Sequence, residues 1–279
     1  MKDPHRFTID DVVRALALPD RTRVDQRVPK RMLAEHGAPT ASDRRLLIDG
    51  IEELQWIAAL KPGTVAIPEH RADGREYLEV AVLGMQVRPT HGKASQLLRL
   101  TELVHRAVPY PVLLIQALAP GTEADSDGSA PPPAAQLAIS LAHKRAAQNE
   151  TGKVVLEGEL VRTELGGADG TVATVAGPLL DAVALDRQPH TDLMALYQGW
   201  MDCLTAAEAA RITGRFHLTA DPAQAAEQRE ALRECKRLEQ ETARLRNRAA
   251  KEQQIAKQVD LNLALRRLQA DLNAARARL

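Results

Sequence analysis

Apolar and polar positions divide this chain into a body whose period keeps changing and a tail with one period. Thr8 and Asp11 have capping-box spacing, with Asp in place of Glu, and open a short helix over residues 8–18 that Pro19 ends. Residues 28–33 begin a second element. Over residues 43–60, Leu47, Ile51, Leu54 and Ile57 recur at steps of three and four, which predicts an amphipathic third helix with Trp56 at one edge of its stripe. The period then shortens. Residues 64–68 and 76–87 read as the strands of an antiparallel hairpin around a turn at 71–75. Residues 93–106 return to helical spacing through Leu97, Leu100, Leu103 and Val104. Pro109 and Pro111 stop that helix and release an aliphatic strand over 112–118.

Residues 121–133 carry Gly, Asp, Ser and three consecutive prolines and predict a long exposed hairpin loop. Two more strands follow over 136–143 and 154–165, the second with the imperfect alternation of an edge or a half-buried strand. After a turn at 166–170 and a weak apolar segment to Leu185, Thr191 or Asp192 caps a helix. It passes through Leu193, Tyr197, Trp200 and Leu204 to Ile212, and Gly214 ends it.

Beyond Pro222 there is no glycine, no aromatic and no further proline. Leu261, Leu265, Leu268, Leu272, Ala275 and Leu279 follow the four-three spacing of a coiled-coil seam. Leu238, Thr242, Leu245 and Ala249 keep the same spacing upstream in a register that does not join it. A long coiled-coil-like helix with a register shift near 252–260 explains both runs, packed on a partner or folded as a hairpin. The fold class is therefore α+β: an antiparallel or mixed sheet covered by helices, with a body over 1–221 and a helical assembly segment over 222–279. The leucines at 238, 245, 261, 265, 268, 272 and 279 are its assembly residues.

With aromatics at only 3% of the chain, the core must be filled by Leu, Val, Ile and Ala. The formal charge is zero, but the segment from Pro222 holds thirteen Lys and Arg against eight Asp and Glu. A mildly basic tail can approach nucleic acid or an acidic protein, whereas the body lacks the basic footprint of an independent DNA-binding domain. Cys203 and Cys235 are too few for a disulfide scaffold, and no apolar run is long enough to span a bilayer. The expectation is a cytoplasmic protein with no membrane association.

Candidate chemistry is sparse. The eight histidines show no HExxH spacing and no cysteine ligand series, so no metal site is expected. Phosphate-cradling glycine loops and the Gly-x-Ser-x-Gly elbow are absent, and no cofactor is implied. His105 reads as a structural or solvent-exposed imidazole. Glu76 and Glu79 sit three apart on one expected strand and so point to opposite faces. Glu79 turned toward Lys93 or Lys144 would be the start of a metal-dependent nuclease centre. Two basic clusters, Lys30 and Arg31 beside Arg27, and Lys144 and Arg145 after His143, are the candidates for gripping nucleic acid or an acidic partner, against ordinary solvated surface.

Several strings become informative together: Val28-Pro29-Lys30-Arg31, Trp56 within residues 51–60, Tyr77-Leu78-Glu79-Val80, Pro109-Tyr110-Pro111, His143-Lys144-Arg145, and Tyr197 with Trp200. In this order, over residues 8–218, the chain resembles the bacterial domain-of-unknown-function family numbered 4391. That resemblance implies an accessory component encoded near a Snf2-type helicase and a DNA methyltransferase in anti-phage defence loci, and it supplies no catalytic residue. The resulting expectation is a non-catalytic binding or scaffolding subunit with a protein partner such as that helicase or methyltransferase. Self-association and DNA contact stay open, and a metal-dependent nuclease or other nucleic-acid-processing enzyme is the alternative.

Overall fold

The computed structural model describes residues 7–119, 137–147, 154–166, 171–219 and 221–279. The loop expected over 121–133 and most of the turn expected at 166–170 lie outside the described residues. In chain order come α1 (Ile9–Ala15), β1 (Arg23–Arg27), α2 (Lys30–Gly37), α3 (Ala41–Arg45), β2 (Ile51–Leu60), α4 (Pro62–Val65), β3 (His70–Ala72), β4 (Arg75–Tyr77) and β5 (Val80–Val87). Then follow α5 (Ala94–Ala107), β6 (Val112–Leu118), β7 (Leu137–Ala146), β8 (Val154–Leu165), α6 (Thr171–Ala182), α7 (Leu193–Thr213), α8 (Pro222–Lys251) and α9 (Ile255–Arg276). No helix among the described residues is long and apolar enough to cross a membrane.

The chain divides into two compact units, residues 1–204 and 205–279. In the first, a six-stranded sheet runs in the order β1-β2-β5-β6-β7-β8. Its neighbours are antiparallel except for β5 and β6, which are parallel and joined through α5. The result is a mixed sheet. A separate two-stranded ribbon pairs β3 with β4.

Two sequence expectations fail here. Residues 43–60 are not one helix: α3 ends at Arg45, a π-helical turn spans Leu46–Gly50, and Ile51 enters β2. The cause is a pair of bulges. Pairing of β2 with β5 shifts register between Ile51 and Glu53 and again between Trp56 and Ala58. The first extra residue resets the alternation, so Ile51 and Leu54 meet the same core that Trp56 borders, at a spacing that imitates a helix. The hairpin expected from 64–68 and 76–87 is also absent. Instead Thr64 Oγ1 accepts from Lys61 N at the start of α4, which has Pro62 at its first position, and β5 pairs with β2 and β6. Only the turn survives, with Asp73 and Gly74 at positive φ between β3 and β4.

Helices cover both faces of the sheet. Leu33 of α2 and Leu97, Leu100, Leu103 and Val104 of α5 pack with Leu83, Met85 and Leu114 on one face. On the other, a Cβ placed at Gly84 would lie 3.2 Å from the side chain of Ile9, so α1 sits directly on the strand. Residues 193–204 of α7 cover the same face through Tyr197, Gln198 and Trp200. Burial on both sides explains why β5 is an almost continuous apolar run.

The second unit is a hairpin of helices. The chain breaks at residues 252–254, within the segment where the leucine register shifts, and α9 returns along α8. Cys235 and Leu238 of α8 bury against Leu272 and Ala275 of α9, with Ile212, Leu268 and Leu279 at the margin. Arg276 pairs with Glu239 at 2.8 Å across the two helices.

Candidate functional site

The first unit concentrates unusual polar groups where α5 gives way to β6. Pro109 and Pro111 prevent the helix from continuing and leave the carbonyls of Val108 and Tyr110 free of helical partners. Lys144 of β7 fills that vacancy: its ammonium donates to Val108 O and, at 2.5 Å, to Tyr110 O. Only 3% of Lys144 is exposed, and burial lowers its pKa to about 7. The two carbonyls favour its charged form and hold the amine in place.

His105, in the last turn of α5, is fully buried. Its Nε2 lies 3.0 Å from Ser140 Oγ, and its Nδ1 has no hydrogen-bond partner. Burial first, and the charge on Lys144 second, push its pKa down to about 3, so the ring is neutral. Both residues line a cavity of about 470 Å³, together with His36 and Gly37 from the end of α2 and Val154 from the start of β8. Gly37 is required by close packing: a Cβ there would lie 2.5 Å from Ala107 Cβ. Beside it, a second cavity of about 540 Å³ is lined by Trp56, Tyr110 and Met32. The Trp56 and Tyr110 rings lie 6.0 Å apart between centroids.

Alternation along β7 splits the basic cluster read from the sequence. Lys144 turns toward α5, whereas His143 turns to the opposite face. There His143 Nδ1 meets Tyr77 Oη, and Nε2 lies 2.8 Å from Gln198 Oε1. Gln198 continues the chain by donating to Asp202 at 2.9 Å. With the Tyr77 hydroxyl donating, His143 carries its proton on Nε2. Burial raises the Tyr77 pKa, which keeps the phenol protonated. These partners satisfy one another in a half-buried network between β7 and α7.

The four expected contact cations do not meet. Lys30 donates to Ile48 O at 2.8 Å and Ile51 O at 2.7 Å, and burial with the charges of Arg88 and Arg27 lowers its pKa. Ile51 pairs with Val87 at one end of β5, while Val112, next to the Lys144 loop, pairs with Ala81 at the other. Arg31 is exposed and Arg145 half-buried. Lys144 is thus a buried amine rather than the solvated strand-end cation the sequence suggests.

Glu79 is likewise placed away from the nuclease arrangement. Its carboxylate pairs with Lys61 at 3.0 Å, and its other oxygen is buried without a partner. Among the described residues no group of three or more His, Cys, Asp or Glu is placed to hold a metal ion. Cys203 is buried, and burial raises its pKa to about 12, so it is no thiolate nucleophile.

Pattern reading found Lys144 but missed His36 and Arg106, which reach the cleft from the ends of α2 and α5. The break at Pro109 was the available signal, since it marks where carbonyls lose their helical partners.

The family described as "Domain of unknown function (DUF4391)" matches residues 16–272, and the chain belongs to that family. No curated protein and no solved structure matches it.

Proposed function

We propose that this family member is a non-catalytic binding and scaffolding subunit of a bacterial anti-phage defence complex in the cytoplasm, acting beside a Snf2-type helicase or a DNA methyltransferase. The observation that carries the scaffolding role is the apolar surface left on α9 once the hairpin has closed: Val259 is 52% and Leu263 48% exposed. Leu238 and Leu272 are used inside the hairpin, and Leu245, Leu261 and Leu265 are half-buried. Two large aliphatic side chains four residues apart share one helix face and supply a stripe for a partner helix. The defence setting and the identity of the partner come from the family resemblance. Arg31, exposed, and Arg145, half-buried, are the cations offered for contact with DNA or an acidic partner.

The test is full-length protein carrying Val259→Asp and Leu263→Asp, compared with wild type by solution mass, alone and with a neighbouring helicase or methyltransferase. Both positions are exposed, so the hairpin is expected to fold unchanged while association weakens by at least tenfold. Identical masses and identical complex formation in both proteins would remove the assembly role from α9.

A further inference from the structure

The two cavities at the end of α5 are lobes of one cleft. His36, Arg106, Val108 and Val154 line both of them. Their chemistry differs sharply. The smaller lobe gathers Lys144, Arg106, His36 and His105, and none of the residues lining it carries a carboxylate. The larger lobe is mostly apolar and presents Trp56 and Tyr110.

We propose that this cleft binds a nucleoside 5′-phosphate, with the phosphate in the Lys144 lobe and the base against Trp56 and Tyr110. Donor capacity supports the first half. An ammonium has three N–H groups, and Lys144 commits two of them to carbonyls, Val108 O and Tyr110 O, which leaves one for the cavity it lines. Arg106 is 49% exposed at its side chain and pairs with Glu102 at 2.7 Å, which leaves further guanidinium donors. His36, at the end of α2, lines the same lobe and brings a third polar side chain to it. A phosphate is the anion whose several oxygens answer several convergent donors at once.

The rings support the second half. Trp56 keeps its indole nitrogen occupied by Ala58 O at 2.9 Å, so what it offers the lobe is apolar ring surface. Tyr110, 38% exposed, stands beside it at the rim. Aromatic faces hold nucleobases of any sequence by stacking. Each lobe has the size of an ordinary small-molecule site, roughly 300–1,000 Å³. The ligand has two sources, a free mononucleotide or the phosphorylated 5′ end of a strand. The site is independent of whether α9 recruits a partner.

Calorimetric titration of the full-length protein distinguishes the cases, using AMP, adenosine, inorganic phosphate, and a short single strand with and without its 5′-phosphate. AMP or the phosphorylated strand is expected to bind at least tenfold more tightly than adenosine or the unphosphorylated strand. The tighter of the two identifies the source. Lys144→Met is expected to weaken that binding at least tenfold. Tyr110→Ala, at a ring 38% exposed, should weaken nucleotide at least fivefold while leaving inorganic phosphate within twofold. Arg14→Ala, on α1 at the other face of the sheet, should change nothing. Circular dichroism and thermal melts accompany each variant, and Arg106→Gln serves if Lys144→Met does not fold. Absence of binding by both phosphorylated ligands, equal binding of the unphosphorylated strand, or affinities unchanged in the Lys144 or Arg106 variant and in Tyr110→Ala would overturn the proposal. Because these titrations use no partner protein, their outcome is separate from that of the α9 substitutions.

Discussion

Acidification from pH 6.5 toward 3 is expected to remove on the order of 5 kcal/mol of folding stability through His105 alone, at about 1.4 kcal/mol per pH unit. The sign follows from proton counting. In the unfolded chain this imidazole titrates near 6.5, whereas in the folded protein burial holds its pKa down at about 3. Between those values the unfolded state binds a proton that the folded state refuses, so stability falls as pH falls. The loss is complete once both states are protonated. Against a total stability of about 5–15 kcal/mol for a typical domain, one such residue is decisive. Asp43 adds a smaller loss further down: Arg99 bonds its carboxylate at 2.7 and 2.9 Å and holds its pKa at about 2, so its contribution disappears only below 3.8. Urea unfolding at pH 7, 6, 5 and 4, compared between wild type and His105→Gln, isolates the histidine. Glutamine retains a polar contact for Ser140 and does not titrate. The wild-type stability should fall steeply across this range and that of the variant much less, its remaining slope at the acid end coming from carboxylates such as Glu157, which Arg75 holds below its ordinary value. Parallel curves would show that His105 is not held neutral by the fold.

Lys144 gives the same sign in a different window. Its folded pKa of about 7 lies below the ordinary lysine value of 10.5, so stability rises with pH between those limits. Measurements below pH 7 are therefore free of its slope, which leaves the acid limb to His105 and the carboxylates.

Local signals that depend on side chains alone were legible in the sequence. The limits of α5, β6 and β8 followed from Leu97 to Val104, from the two prolines and from the run of β-favouring residues over 154–165. The capping pair Thr8 and Asp11 and the positive-φ stop at Gly214 were equally plain. β2 was not legible, because its bulges are backbone events that rewrite the apolar spacing. β1 was missed for another reason: at the sheet edge Arg23–Arg27 is almost wholly exposed, so it shows no apolar alternation to read. The same limit applies to the cleft. Lys144 could be named from its charge, but the Val108 and Tyr110 carbonyls that anchor it are main-chain atoms, and the residues around it come from α2, α5 and β8, which are far apart in the sequence.

Tyr197→Phe is expected to cost about 1–3 kcal/mol even though it removes a single oxygen and keeps the ring. The β6–β7 ladder pairs Leu114 with Ser140 through Ala117 with Leu137. At Val112 and Ala142, beyond the last paired residues, the Tyr197 hydroxyl bridges the strands. It accepts from Ala142 N at 2.9 Å and lies 2.8 Å from Val112 O and 3.0 Å from Ala142 O. Its proton serves one carbonyl at a time, but its lone pair is the acceptor bonded to the Ala142 amide. Ala142 is 1% exposed, so water cannot replace that acceptor without opening the sheet. Burial raises the Tyr197 pKa well above its ordinary value, which keeps the bridging proton in place. Two residues further along β7 stands Lys144, so the bridge also fixes the distance over which its ammonium reaches the loop after α5. Urea denaturation should register the loss of stability, and exchange of the Ala142 amide with deuterium should accelerate by roughly ten- to a hundredfold through local opening. If stability stayed within about 0.3 kcal/mol of wild type and Ala142 exchanged at its original rate, the hydroxyl would be a bystander and the strands would be held by packing alone.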